Sequence, residues 1–215
     1  MRRKSRTGDG DGNTRQRILD AAERLLAEKS YHAVSTRMIT EAAEANTAAL
    51  HYHFGTKEAV VQAIFERRLG PINRKRIKLL DAFENQQEPD LEEVLKAFIG
   101  PTLMLNASEG ERYFKMLSSN ISMDPSEELR RFSFDFYREV GEKFVRLIAR
   151  VCPHLTPEEL FWRMGCVYGA MVYIRADNGR LQLILGHELS FRNDTRGLEM
   201  MARFLAAGLK APAVF

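Results

Sequence analysis

Residues 14–69, TRQRILDAAERLLAEKSYHAVSTRMITEAAEANTAALHYHFGTKEAVVQAIFERRL, decide how this chain folds. Ile18, Ala22, Leu25 and Leu26 recur at helical spacing, with Arg15, Arg17, Glu23 and Arg24 off that stripe. Asn13 is placed to cap this first helix, with Gln16 three residues on, and the helix should end near Lys29–Ser30. Ser35 is an N-cap for a second helix that turns Met38, Ile39, Ala42 and Ala43 inward. After a bend at Glu44–Asn46, Asn46 caps a third helix of about two turns. Its inner face is Ala49, Leu50, His53 and Phe54, and Gly55 ends it. Thr56 then caps a longer fourth helix carrying Val60, Val61, Ile64 and Phe65. The two middle helices are too short to persist alone, so they must pack on the longer ones. The spacing predicts a helix-turn-helix platform.

A short helix braced this way presents its outer face to a partner, and the expected partner is the major groove of double-stranded DNA. Thr47, Ala48 and His51 fall on the outward side, nearest base edges. Ser35, Thr36, Arg37, Asn46, Tyr52 and Lys57 flank them. Arg37, Tyr52 and Lys57 are expected at phosphates, Lys57 from the N-terminus of the fourth helix. At these residues the chain resembles the TetR family of bacterial transcriptional regulators. The resemblance rests on Tyr52-His53-Phe54-Gly55-Thr56-Lys57-Glu58-Ala59, with Ile18-Leu19-Asp20-Ala21-Ala22 and Ile39-Thr40-Glu41-Ala42-Ala43 at the family's spacing. The sequence departs from the family pattern at Glu44 and Ser30, where glycine is usual, and at Thr47-Ala48-Ala49, where Lys-Gly-Thr is frequent. Glu44 implies a strained bend or a different turn, because glycine relieves a left-handed backbone.

The chain has 215 residues, 45% hydrophobic and 28% charged, enough for a DNA-reading unit and one larger domain. A net charge of +3 says little by itself, but Arg2, Arg3, Lys4, Arg6, Arg15, Arg17, Arg37 and Lys57 all fall in the DNA-reading region. The start, MRRKSRTGDGDGN, lacks the apolar core of a secretion signal and reads as a flexible basic arm. The expected organisation is therefore an arm at 1–12, a helix-turn-helix domain at 13–57 and a ligand-binding and dimerisation domain at 58–215, in a cytoplasmic protein without a membrane span. Cys152 and Cys166 are expected to be reduced and buried.

His51 and His53, two residues apart on a helix, point about 200° apart and cannot share a metal. No metal, no cofactor and no nucleophile–base–oxyanion set is expected, so the chain does not read as an enzyme. Beyond residue 69 the pattern is all-α. The fourth helix is expected to break at Gly70-Pro71 and resume from Ile72 to Phe83. Asp90 caps the next helix, and a kink is expected at Gly100-Pro101. Further helices should cover about 110–121, 125–151, 157–176 and 195–210, with short turns in 177–192.

Aromatic residues crowd these helices. Phe132, Phe136 and Val140 share one helix face, while Phe134 and Tyr137 point elsewhere, so that helix must be covered on more than one side. The resemblance implies a ligand cavity between such helices, and the Gly100-Pro101 kink is expected to open it. Phe98, Met104, Phe114, Phe136, Tyr137 and Tyr168 are its expected lining. A small apolar effector is expected, with a fatty acid or acyl-CoA suggested by likeness to the branch containing fatty-acid-responsive members. Leu198, Met201, Ala202, Leu205 and Leu209 stripe the last helix, and Gly165 and Gly169 permit close approach to the one before it. Packing within the chain accounts for that pattern equally well; the resemblance implies a homodimer interface there. Two other readings stay open: a DNA-binding regulator without a small effector, and a helical lipid-binding protein or enzyme.

Overall fold

A computed structural model describes residues 9–105, 107–186, 191 and 194–214, and every regular element among them is helical. The N-terminal end contains α1 (Asp9–Glu28), a 3-10 turn (Tyr31–Ala33), α2 (Thr36–Ala42) and α3 (Thr47–His53). Then come α4 (Lys57–Glu84), α5 (Leu91–Leu103), α6 (Glu109–Met123), α7 (Glu127–Val151), α8 (Pro157–Ala176), the short α9 (Arg180–Leu185) and α10 (Thr195–Lys210). Arg2, Arg3, Lys4 and Arg6 lie outside the described residues.

The expected caps at α2, α3 and α4 are present. Met38 N donates to Ser35 Oγ at 3.2 Å, Ala49 N to Asn46 Oδ1 at 2.7 Å and Ala59 N to Thr56 Oγ1 at 3.2 Å. Each satisfies an amide that a helix start otherwise leaves without a partner. The bend between α2 and α3 is strained. Glu44 takes φ 49°, a left-handed backbone that costs an L residue about 1–2 kcal/mol.

Several boundaries differ from the sequence reading. Helix α1 starts at Asp9, not Asn13, because extending a formed helix adds a backbone bond per residue and outweighs Gly10 and Gly12. Helix α4 runs unbroken through Gly70-Pro71. Pro71 sits on the exposed side while Leu69 and Ile72 are buried, so packing of the buried face carries the helix across the missing hydrogen bond. Helix α5 likewise continues through Pro101 and ends at Leu103. Gly100 does not open a gap: a Cβ there would stand 3.1 Å from Leu198 Cδ2, so the glycine lets α10 lie close on α5. Ala42 is exposed rather than inward, and of the two cysteines only Cys152 is buried, Cys166 being exposed on α8.

The core has two parts. The first joins Ile18 and Leu26 of α1, Leu50 of α3, Ile64 and Phe65 of α4 and Phe114 of α6. The second joins Leu80, Phe98, Phe144, Met164 and Leu205. Helix α4 contributes to both, so packing is continuous across the expected boundary at 57/58. The two parts meet along a helix that, at 1.5 Å per residue, is about 42 Å long.

Candidate nucleic-acid interface and ligand cavity

Helix α3 buries Leu50 completely and tucks Ala49 against the first core. Thr47, Ala48, His51 and Tyr52 are all exposed, Tyr52 at 78%. At 100° per residue these four positions occupy one side of the helix. His51 Nδ1 lies 2.7 Å from the Gly55 carbonyl oxygen. A carbonyl only accepts, so Nδ1 carries a proton in this contact and Nε2 is the ring nitrogen left for a partner. Ser35 and Arg37 are exposed at the start of α2, and Arg37 Nε donates to Glu41 at 2.8 Å. Thr36 is partly buried beside them, and Asn46 is exposed while its Oδ1 serves as the α3 cap.

Lys57 is placed differently from the sequence reading. Its Nζ donates to the carbonyls of Tyr31 (3.1 Å) and Val34 (3.0 Å) and stands 3.9 Å from the Tyr31 ring centroid. The ammonium ties the Tyr31 carbonyl at the start of the 3-10 turn to the Val34 carbonyl just past its end, so in this structure it is engaged within the headpiece and is not extended towards a phosphate. Tyr31 in turn donates its hydroxyl to Glu58 Oε1 at 2.6 Å. The start of α4 is thus fastened to the turn that precedes α2.

A second joint fastens α1 to α4. Glu23, 1% exposed, accepts from Arg67 Nη2 at 2.8 Å, from Arg68 Nε at 2.8 Å and from Arg68 Nη2 at 2.7 Å. Glu23 holds the Arg68 guanidinium firmly charged, raising its pKa above the ordinary value. Gly110 makes room for this pair, since a Cβ there would collide with Arg68 Nη2.

Further along α4, a cavity of about 1040 Å³ opens between α7 and α8, with Arg76 and Phe98 among its lining residues. Phe98, Tyr137 and Tyr168 line it as expected. Met104, Phe114 and Phe136 do not. Phe114 and Phe136 instead surround Phe65, with ring centroids 5.4 and 5.6 Å away, because α6 and α7 close the first core there. Met104 is the C-cap of α5, 45% exposed. Phe134, Val145 and Met171 add apolar wall, and Phe98 stacks on Phe144 at 3.9 Å.

The sequence reading missed two lining residues, Arg76 and Arg175, which are 1% and 6% exposed. Arg76 Nε donates to Phe98 O at 2.7 Å, and its other nitrogens reach Asn73 Oδ1 and Thr102 Oγ1. Burial pushes its pKa down to about 10. The signal was present: Leu69, Ile72, Arg76 and Leu80 form one stripe of α4, and Met164, Val167, Met171 and Arg175 form one stripe of α8. A charge standing on an apolar stripe is a buried charge.

The expected dimer residues divide into two groups. Met201, Ala202, Leu205 and Leu209 are buried in the chain's own second core, with Leu198 packed against it. They do not form an outer face, because the α10 stripe is consumed by packing within the chain. Gly165 and Gly169 are exposed, with nothing within 4 Å of an added Cβ. On the same two helices Phe161, Trp162, Met200 and Phe204 are exposed by 76, 67, 62 and 78%, large apolar side chains on α8 and α10 that the sequence reading did not assign to an interface.

Residues 18–64 match the family model described as bacterial regulatory proteins, tetR family, and residues 96–208 match the one described as tetracyclin repressor-like, C-terminal domain. The HTH-type transcriptional repressor AcnR of Corynebacterium efficiens is 40% identical over 58 residues, which is 27% of this chain and 31% of AcnR. The chain thus aligns with about a third of that relative's length. Solved structures share the fold. The fatty acid degradation regulator FadR from Bacillus halodurans superposes with a TM-score of 0.61 at 16% identity, covering 97% of both chains. AibR, in complex with isovaleryl coenzyme A and operator DNA, gives 0.62 at 15% identity, covering 93% of this chain and 99% of its own. With its headpiece and more than half of its length in the second domain matched in order, the chain belongs to the tetR family of bacterial regulatory proteins.

Proposed function

We propose that this protein is a cytoplasmic, homodimeric transcriptional repressor that binds a palindromic operator and is released by a small, largely apolar effector. The observation that carries the reading is α4. It starts against the turn that holds α2, is clamped to α1 through Glu23, and presents Arg76 to the cavity. From Lys57 to Arg76 is about 28 Å of one unbroken helix, so an event at the cavity can move the headpiece. Thr47, Ala48 and His51 read base edges, while Arg37 and Tyr52 hold phosphates. The patch of Phe161, Trp162, Met200 and Phe204, with Gly165 and Gly169 admitting close helix approach, pairs two subunits. In the dimer the two α3 helices must lie about 34–36 Å apart, or a multiple of that, to meet successive major grooves. An effector acts by preferring a different separation. AcnR, a repressor by name, and AibR, solved with an acyl-coenzyme A and operator DNA, support the reading.

Selection from a random duplex pool with the full chain tests it. The expected product is an inverted repeat whose half-sites are one helical turn or a multiple apart, bound more tightly than random DNA by a factor of at least about 10³. Equal binding to all sequences would overturn the proposal.

A further inference from the structure

The charged residues around the cavity are not equivalent. Arg146 pairs with Glu142 at 3.8 Å, and Arg138 pairs with Asp135; these are surface pairs at the rim. Arg76 and Arg175 are buried, and among the described residues neither has a carboxylate within 4 Å. Arg76 has three neutral hydrogen-bond partners. Arg175 Nε has none, and the Tyr137 hydroxyl is likewise buried without a partner. Arg76, Arg175, Tyr137 and Tyr168 all line this one cavity, and Arg76 senses the other three electrostatically. Lys115 is also buried and also feels Arg175, with Asp177 the neighbouring acid that acts on it.

Two buried guanidiniums repel each other, and a buried charge without a counterion is costly. Unpaired buried donors are costly too, and a native fold keeps few of them. Arg175 Nε and the Tyr137 hydroxyl can each donate, and the unmatched charge is positive. Cations are therefore excluded, and a neutral apolar molecule would leave the donors unmet. A guanidinium meets a planar carboxylate side-on in two parallel hydrogen bonds, which satisfies two of its donors and its charge together. The remaining wall, with Phe98, Phe134, Val145 and Met171, is apolar.

We propose that the cavity takes an amphipathic carboxylate, its head held by Arg175, Arg76 and the Tyr137 hydroxyl and its apolar body along α7 and α8. This deepens the effector-cavity reading and rests on it. The apolar effector expected from the sequence thereby acquires a negative end. Because α4 supplies Arg76, the head group pulls on the helix that is clamped to the headpiece.

The test is calorimetric titration of the full-length protein with octanoate, laurate and palmitate, each against the primary alcohol of the same chain length. At least one acid is expected to bind at least about tenfold more tightly than its alcohol, the worth of a desolvated charge-assisted hydrogen bond. Arg175→Met should abolish that preference. Tyr137→Phe, which removes one oxygen and keeps the ring, should weaken acid binding several-fold, and it decides the matter if the arginine variant does not fold. Alcohols that bind as well as acids would overturn the carboxylate site and leave the effector cavity standing. An acid preference that survives both substitutions would do the same. No binding of any acid or alcohol would overturn both.

Discussion

Glu23→Ala tests the clamp between α1 and α4. The carboxylate is 1% exposed and receives three hydrogen bonds from Arg67 and Arg68. Breaking a fully buried ion pair costs about 3–5 kcal/mol, chiefly because a partner charge is stranded. Here the side chains of Arg67 and Arg68 are 20% and 24% exposed, so water can recover part of that, and Arg67 keeps Asp20 at 2.7 Å. The expected loss is therefore about 2–3 kcal/mol. For a chain of this size that corresponds to a fall in Tm of about 4–12 °C. Urea unfolding followed by far-UV circular dichroism reads the loss directly. A double-mutant cycle with Arg68→Ala isolates the pair, with an expected coupling of about 1–3 kcal/mol. If Glu23→Ala costs less than about 0.5 kcal/mol, or if the two substitutions add without coupling, the clamp is not what joins the headpiece to α4.

Three further outcomes follow from the geometry. Tyr31 and Glu58 make stability pH-dependent at both ends. The Tyr31 hydroxyl lowers the Glu58 pKa, so that contribution is present above the ordinary glutamate value of about 4.3 and lost as pH falls through the lower folded value. Burial, then the Glu58 hydrogen bond, raise the Tyr31 pKa; that contribution is full below about pH 10 and lost as pH rises through the folded value. The Tm gap between the protein and Tyr31→Phe should be widest from about pH 5 to 9 and narrow outside it; a gap constant with pH refutes the pairing. Phe204→Arg should reduce the mass seen by sedimentation to the 24.6 kDa of one chain and weaken operator binding with it; an unchanged dimer removes the α8–α10 patch from the interface. His51→Ala should weaken operator binding by about 1–3 kcal/mol while binding to random DNA holds; equal loss on both would make His51 a backbone contact.

Much of the headpiece is legible in the amino-acid order because its determinants are local. Ser35, Asn46 and Thr56 each cap the helix that begins beside them, and Ile18, Leu26, Leu50 and Phe65 fall at helical intervals that need no knowledge of the rest. The outward face of α3 follows from the same period. The all-α class and the limits of α8 and α10 come from the same kind of signal. What tertiary structure decided is where long-range packing outranks local preference. Gly70-Pro71 reads as a break, yet burial of Leu69 and Ile72 carries α4 through it. Gly100-Pro101 reads as an opening, yet Leu198 occupies the space. The stripe of α10 suits internal packing and an interface equally well, and α5 and α8 take it, leaving Met200 and Phe204 outside. Phe114, Phe136 and Phe98 are chemically alike, and no local rule says that two serve a core while the third lines a cavity. Arg76 falls on the apolar stripe of α4 by its period alone, but that it meets the Phe98 carbonyl and a cavity depends on α5 passing over that turn of α4. Helix starts are set by bonds three or four residues away, whereas a cavity is what remains after every helix has found its neighbours.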